Sequence, residues 1–360
     1  MKKILINGRF LCQNITGVQR VSIELVKSLD SFLSKKIIDD KTYKIDIIVP
    51  RDKMLHDLNL KNIKIIKKGF LKGHLWEQFE LPFYSKCDLL FCPGNVAPIL
   101  SYFFKFKLIT TVHDLSYKYF PKAYNWKFRF VYNLIVPFVM KISNYIITVS
   151  KSEKDSILNY YPNVTNKIIE IQNGGGEFFK TKITNKINDF NNILYIGSLS
   201  KRKNVHGIIE AFMRLKIEKK KLIIVGGNDN IFDDLKISKK INIEFVGQVN
   251  DKKVLLSYYK MANVFIFPSF YEASPLPPIE AMSTGCPVIC SNIPSLLERC
   301  GDSALYCDPN DIDDISEKIN EVLINENLRN GLISKGLERA KNFTWNNSAQ
   351  KTFEIFKKVL

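Results

Sequence analysis

Tyr271–Ser291 reads YEASPLPPIEAMSTGCPVICS, and the order of residue types in it decides the fold. A short apolar run, Val264–Phe267, precedes it and has the composition of a buried strand. Leu276–Ser283 is expected to form a helix, because prolines such as Pro277 and Pro278 are tolerated in a first turn. Gly285 is expected to end that helix, and Pro287–Cys290 to form the next strand. Strand, loop, helix and strand without polar alternation is a βαβ unit of a parallel sheet covered on both faces. Glu272 falls in the loop and Glu280 on the helix, both at the carboxyl edge of the sheet, where such sheets bind ligands. A carboxylate can accept from two vicinal hydroxyls, which suits a ribose or hexose diol. The helix start offers N–H groups to an anion, and since prolines have none, Leu276 and Ile279 are the expected donors.

The same alternation extends in both directions. Lys3–Ile6, Ile45–Val49, Ile63–Ile66, Asp88–Phe91, Leu108–Thr111, Tyr145–Val149 and Ile168–Ile171 read as one series of buried strands. Ile193–Ile196, Leu222–Val225, Ile243–Phe245, Val264–Phe267, Val288–Cys290 and Ala304–Tyr306 read as a second. Helical patterns lie between them, among them Val18–Phe32, Val205–Leu215 and Asp311–Leu323. Ser150 and Glu153 form an S-x-x-E pattern, expected to be a capping box at a strand-to-helix junction. Two successive series predict an α/β chain of two doubly wound, Rossmann-like domains. The boundary is expected near Asn173–Asn192, where Gly174, Gly175 and Gly176 permit unusual backbone angles. The expected division is 1–180 and 181–342, with 343–360 as a final helix returning to the N-terminal domain.

Composition agrees. The 360 residues are about two domains at roughly 150 residues each. Hydrophobic residues make up 46% and charged residues 25%, which excludes a disordered chain, a collagen-like chain and a small disulfide scaffold. Seven cysteines include no CxxC pair and the four histidines are scattered, so no zinc site is expected, and the thiols read as reduced and mostly buried. No apolar run is long enough to span a membrane. MKKILINGRF begins basic and then apolar, but Asn7 and Arg9 cut the run, so it reads as a first strand of a cytoplasmic protein. The net charge of +17 is uneven: residues 1–180 hold 28 basic and 15 acidic side chains, net +13, and the remainder nets +4. Such asymmetry points to an anionic partner, with a general bias toward Lys as the simpler account.

Five further stretches carry chemistry or packing. Gly197–Asn204, GSLSKRKN, follows a strand and ends in Arg202 and Lys203 before a helix that Asn204 can cap, a sensible diphosphate site or else a solvated basic turn. Thr16–Arg20, TGVQR, puts Gly17 in the loop before the first long helix, where its backbone could approach a phosphate or simply turn. Thr111–Leu115, TVHDL, places His113 at the carboxyl end of a strand, a position open to a catalytic or a structural role. Lys122–Ser143, KAYNWKFRFVYNLIVPFVMKIS, interleaves aromatic and basic residues, as in a helix on an anionic membrane or a domain helix with its rings turned inward. Its pattern also suits single-stranded nucleic acid, but no RNP-like or helix-turn-helix signature accompanies it, so nucleic acid is not expected as a partner. Asp311–Asp313 is a D-x-D, yet it opens a late helix and reads as N-terminal helix charge, not as a metal site.

Glu272 and Glu280 match the E-x7-E motif of retaining glycosyltransferases with two Rossmann-like domains, the GT-B fold. LPPIEAMSTGCPVICSN followed by GDSALYCDPND resembles the group-1 (family 4) glycosyltransferases, and the resemblance spans Lys3 to about Trp345. Trp76–Pro82, WEQFELP, and Pro93–Pro98, PGNVAP, resemble a mannosyl- and rhamnosyltransferase-like subset. The resemblance implies two domains facing a central cleft, with the acceptor on the N-terminal side and the donor on the C-terminal side. It implies transfer of a hexose, GDP-mannose-like, from a nucleoside diphosphate sugar to a hydroxyl of a lipid-linked or surface-polysaccharide glycan. His113 would face the reacting sugar, Glu272 would hold its hydroxyls, Glu280 the ribose, and Arg202 and Lys203 the diphosphate, without a metal or other cofactor. Ser198 stands where many relatives have Arg, and Pro275 where many have Gly. Those departures keep open a catalytically degenerate relative serving as a membrane-associated binding or scaffold subunit. An NAD-dependent oxidoreductase is disfavoured, because no G-x-G-x-x-G follows the first strand. The enzyme reading places the chain at the inner face of the cell membrane, bound peripherally.

Overall fold

The computed structural model describes residues 1–177, 190–227 and 242–360. They divide into two compact units, Met1–Gly174 with Trp345–Leu360, and Gly175–Thr344. The boundary expected at 180/181 lies outside the described residues; among those described, the division falls at Gly174/Gly175.

In the first unit, the strands are β1 (Lys2–Asn7), β2 (Tyr43–Val49), β3 (Lys64–Lys67), β4 (Leu89–Cys92), β5 (Lys107–Thr111), β6 (Tyr145–Thr148) and β7 (Ile168–Glu170). In the second they are β8 (Asn191–Ile196), β9 (Lys220–Val225), β10 (Ile243–Gly247), β11 (Val264–Phe267), β12 (Val288–Ser291) and β13 (Leu305–Cys307). Among the described residues the sheets run β3-β2-β1-β4-β5-β6-β7 and β10-β9-β8-β11-β12-β13, with every pairing parallel. Each expected strand is present, its ends shifted by no more than two residues. The central strands are buried because Ile, Leu, Val and Phe on both faces meet helices. At the edges, β3 and β10 are only half-buried.

The strand order reverses between β1 and β4 in one sheet and between β8 and β11 in the other. Crossover connections leave in opposite directions at such a point and open a crevice at the carboxyl ends of the two strands. The residues after β1, β4, β8 and β11 are thereby brought to two crevices, one in each unit.

Gly174, Gly175 and Gly176 serve a purpose other than the expected one. None has a positive φ. A Cβ on Gly174 would collide with the Trp345 ring, on Gly175 with Ile279, and on Gly176 with Ser283. Close approach, not unusual backbone angles, excludes side chains there. Gly285 does take a positive φ, +72°, and ends the helix Pro277–Ser283. The final helix Trp345–Val359 buries Ala349, Phe353 and Phe356 in the core of the first unit. Phe356 lies 5.1 Å from the Phe91 ring of β4, and Phe353 lies 5.1 Å from the Tyr43 ring of β2.

Candidate functional site

In the second unit, the chain leaving β8 makes a 3-10 turn at Lys201–Lys203 and passes through Asn204 in the left-handed conformation, φ +57°. Asn204 Oδ1 accepts from Gly207 N at 3.3 Å and caps the helix Val205–Arg214, while its Nδ2 donates to Pro309 O at 2.7 Å. This double anchor fixes Arg202 and Lys203 at the helix start. The loop after β11 is sewn to the same turn, because Phe270 N donates to Arg202 O at 2.9 Å. Lys203 Nζ donates to Glu272 Oε1 and lies 4.9 Å from the Phe267 ring centroid. Arg202 Nη1 lies 3.6 Å from Glu272 Oε2 and donates to Tyr271 O at 3.1 Å. Lys203 and Glu272 are 9% and 7% exposed, so their ion pair is shielded from water. The two cations expected at the diphosphate and the carboxylate expected at the donor sugar therefore form one charged group at the crevice between β8 and β11.

Glu280 stands apart from that group. It is 1% exposed, on the first turn of the helix Pro277–Ser283, and Oε2 accepts from Tyr259 Oη at 2.9 Å. Leu276 and Ile279 bury their side chains at the same helix start, where backbone N–H groups have no partner within the helix. Ser274, beside the unusual Pro275, is held by Arg299, whose Nη1 donates to Ser274 Oγ at 3.1 Å. Arg299 is wholly buried, 4.7 Å from the Phe343 ring, and burial pushes its pKa down to about 10. It remains a cation at neutral pH that fixes the loop carrying Glu272. Ser198, the other departure, uses its carbonyl to accept from Tyr195 Oη at 2.7 Å. Asp311 is the N-cap of the helix Ile312–Ile324, accepting from Asp313 N at 2.9 Å and Asp314 N at 3.1 Å. Among the described residues, no cluster of three His, Cys, Asp or Glu could hold a metal ion.

In the first unit, His113 follows β5 and is 5% exposed. Its Nε2 donates to Pro93 O at 2.8 Å, and its backbone N donates to Asn95 Oδ1 at 2.6 Å. Burial lowers its pKa more than the Pro93 bond and nearby Asp114 raise it, so the ring is neutral with the proton on Nε2. Gln78 joins in, donating from Nε2 to Ala97 O at 3.0 Å and accepting from Ile99 N at 2.9 Å. Gln78 thus ties WEQFELP to PGNVAP, and Pro93 and Asn95 of PGNVAP hold His113. Gly17 begins the helix Gly17–Ser34, capped by Thr16 and Gln19, and nothing lies within 4 Å of where its Cβ would stand. No neighbour among the described residues requires a glycine there.

Sequence reasoning missed a buried cluster at the carboxyl end of β1. Glu77, 2% exposed, lies on a π-helix, Trp76–Glu80. Its Oε1 accepts from Asn7 Nδ2 at 2.7 Å; its Oε2 stands 3.2 Å from Arg9 Nε and 3.1 Å from His74 Nδ1. Burial acts to raise the Glu77 pKa, but Arg9, His74 and Asn7 outweigh it, and the carboxyl stays ionised below its ordinary value. His74 is three positions away, but Asn7 lies 70 positions away and Arg9 is two residues beyond Asn7, so no local spacing announces them. The expected cap at Ser150 is present, its Oγ accepting from Glu153 N at 3.1 Å, and Glu153 Oε1 also accepts from Leu115 N at 2.9 Å in the His113 loop.

The aromatic side chains of Lys122–Ser143 divide between the core and the surface. Asn125 caps the helix Trp126–Ile142, accepting from Phe128 N at 2.7 Å. Phe128 and Tyr132 stack at 3.9 Å between centroids and pack on the core. Trp126, Phe130 and Leu134, at successive i+4 positions, are 70%, 61% and 59% exposed, beside the exposed Lys122 and Lys127. Among the described residues, no helix is long and apolar enough to cross a membrane.

Two parallel, Rossmann-like sheets, each with a strand-order reversal, are the α/β architecture of the GT-B fold. Residues 177–339 match the family model "Glycosyl transferases group 1" and residues 33–174 match "Glycosyltransferase Family 4". The chain belongs to the group-1, family-4 glycosyltransferases. It is 38% identical to O-antigen chain mannosyltransferase B of Escherichia coli, over 46% of this chain and 45% of that protein. It is 32% identical to O-antigen chain mannosyltransferase RfbU of Salmonella typhimurium, over 56% of each. The chain spans about half the length of these curated relatives. In fold it is similar to HepE of Anabaena, solved in complex with UDP and glucose, with a TM-score of 0.77, 15% identity, and 99% and 100% of the two chains covered.

Proposed function

We propose that this chain is a retaining glycosyltransferase that moves mannose or a related hexose from a nucleoside diphosphate sugar, GDP-mannose first among candidates, to a hydroxyl of a lipid-linked or surface-polysaccharide glycan. The observation that carries the reading is the Lys203–Glu272–Arg202 group in the crevice between β8 and β11. The named O-antigen mannosyltransferases support the sugar and the kind of acceptor. In this mechanism the donor's diphosphate takes over the two cations, and the carboxylate of Glu272 turns to the donor sugar's hydroxyls. Negative charge grows on the leaving diphosphate as the anomeric carbon becomes oxocarbenium-like, and fixed cations in a shielded site stabilise it. Retention follows a front-face route in which the leaving phosphate accepts the acceptor's proton, with no side-chain nucleophile. Glu280 takes the ribose hydroxyls, and His113, neutral, offers Nδ1 as an acceptor toward the reacting sugar.

Arg202 and Lys203 supply two positive charges that can neutralise a diphosphate, so the reaction is proposed to need no metal. The exposed stripe Trp126, Phe130 and Leu134 with its flanking lysines supports peripheral docking on an anionic membrane surface. The test is a transfer assay with GDP-, UDP- and dTDP-sugars against polyprenyl-linked glycan acceptors, run with and without EDTA. Transfer from one donor that survives EDTA is expected. Hydrolysis or transfer with none of them tells against the enzyme, and loss restored by magnesium or manganese tells against the metal-free step.

A further inference from the structure

The Glu77 cluster has no part in the transfer step described above, yet it stands at the strand-order reversal of the N-terminal sheet. Arg9 follows β1 directly, and its side chain is 16% exposed. A guanidinium carries five N–H donors. Nε is buried 3.2 Å from Glu77 Oε2, an ion-pair contact without a hydrogen bond, and among the described residues neither Nη atom has a hydrogen-bond or ion-pair partner. His74 is half exposed; Nδ1 meets Glu77, and among the described residues Nε2 has no partner. Both oxygens of Glu77 are engaged by Asn7, Arg9 and His74, and since a carboxylate only accepts, His74 donates from Nδ1; the donors the cluster turns to a ligand are the Nη groups of Arg9, and His74 Nε2 becomes a donor only in the protonated ring. The carboxylate fixes both side chains and counters one positive charge. Tyr132, from the helix Trp126–Ile142, lies in the fields of Arg9, Glu77 and Asp114, and burial raises its pKa, which keeps it a neutral hydroxyl. The π-helix that carries Glu77 is a rare form, frequent at functional sites. Residues 1–180, with 28 basic and 15 acidic side chains, also draw anions toward this unit.

We propose that Arg9, held in place by Glu77, forms an anion-binding site in the N-terminal unit that takes a phosphate or carboxylate oxygen of the acceptor, with the protonated ring of His74 as its second donor. The inference rests on the transferase reading, in which this unit receives the acceptor. A forked guanidinium suits either oxyanion.

Calorimetric titration of the full chain, carrying Lys203→Ala to weaken the donor cations, tests it with two probes: citronellyl diphosphate and glucuronate. At least one should bind. The double variant Arg9→Gln/Glu77→Gln replaces the ion pair with an amide pair of similar shape and should weaken that probe about tenfold or more. Arg9→Lys keeps the charge without the fork and should weaken it about threefold; it decides the matter alone if the double variant does not fold. Binding of the diphosphate only assigns the site to a lipid carrier's phosphate, and of glucuronate only to an acidic sugar. No binding of either probe, or unchanged affinity in the Arg9 variants, overturns the site. Binding of GDP-mannose and UDP-glucose to the unaltered chain, measured alongside, reports on the donor site separately, so failure there counts against the transferase reading instead.

Discussion

Lys203 is a shielded ammonium whose position depends on Glu272, and the two cannot be altered independently. Lys203→Ala leaves Glu272 with Arg202 alone, at 3.6 Å. Breaking a buried pair from one side costs up to about 3–5 kcal/mol, so folding must be followed by thermal melting. In protein that melts cooperatively, Lys203→Ala is expected to lower kcat roughly 10²–10³-fold, the scale of losing one charge-stabilising donor at a transition state. Arg202→Ala should lower it less, because Arg202 is more exposed and stands further from the carboxylate. Rates near the unaltered chain's in both would remove the diphosphate assignment.

His113 gives a prediction in pH. Its folded pKa is depressed, chiefly by burial, so the folded state resists protonation and the unfolded chain does not. The stability it contributes is complete above the ordinary imidazole value of about 6.5 and falls as the pH drops from there toward the lower folded value. His113→Gln should flatten the stability of the first unit across that window in denaturant titrations. Glu77, with a lowered carboxyl pKa, acts in a different window, losing its contribution only as the pH falls below the ordinary Glu value of about 4.3. An equal slope near neutral pH in both proteins would show that His113 is not the group responsible.

At the scale of elements, the helix Trp126–Ile142 has two faces with different partners. Phe128, Tyr132, Val136 and Met140 pack on the core, whereas Trp126, Phe130 and Leu134 face solvent. Exposed rings at successive turns beside lysines match an interfacial helix, and each Lys near an anionic surface is worth about 1 kcal/mol, screened within a Debye length. Liposome co-sedimentation should therefore show binding to anionic vesicles at low salt and little to neutral ones. Charge reversal at Lys122 and Lys127 should weaken it without changing nucleotide-sugar affinity. Equal partitioning to both vesicle types would return the charge to composition bias. Arg129 is only partly exposed, and reversing it perturbs the fold as well as the surface.

For the molecule as a whole, the two units each have a sheet and a core, but the N-terminal core is completed from the far end of the chain. Phe356 is fully buried against Phe91. Phe356→Ala should cost the first unit about 3–5 kcal/mol, the range for truncating a core aromatic. Two-step melting, with only the step belonging to the first unit displaced, is the expected result of calorimetry. A uniform shift of a single transition would mean that the units do not unfold separately.

The succession of strands and helices was determined by local sequence. Apolar runs such as Val264–Phe267 and Leu222–Val225 need only be short, β-branched or aromatic, and bounded by turn residues to be read. Glu272, Arg202 and Lys203 were legible because they sit within a few residues of strand ends and helix starts, whose roles follow from backbone geometry. Tertiary structure alone decided what those groups meet. The pairing of Lys203 with Glu272 spans 69 positions, and that of Asn7 with Glu77 spans 70. Such separations leave no periodicity in sequence, so the Glu in WEQFELP carries no signal of its own until the fold brings Arg9 and Asn7 to it. The same limit hid the half-exposed edges β3 and β10, whose residues look like those of central strands. It also hid the reason for Gly174–Gly176, because the ring and side chains that exclude a Cβ there come from residues far along the chain.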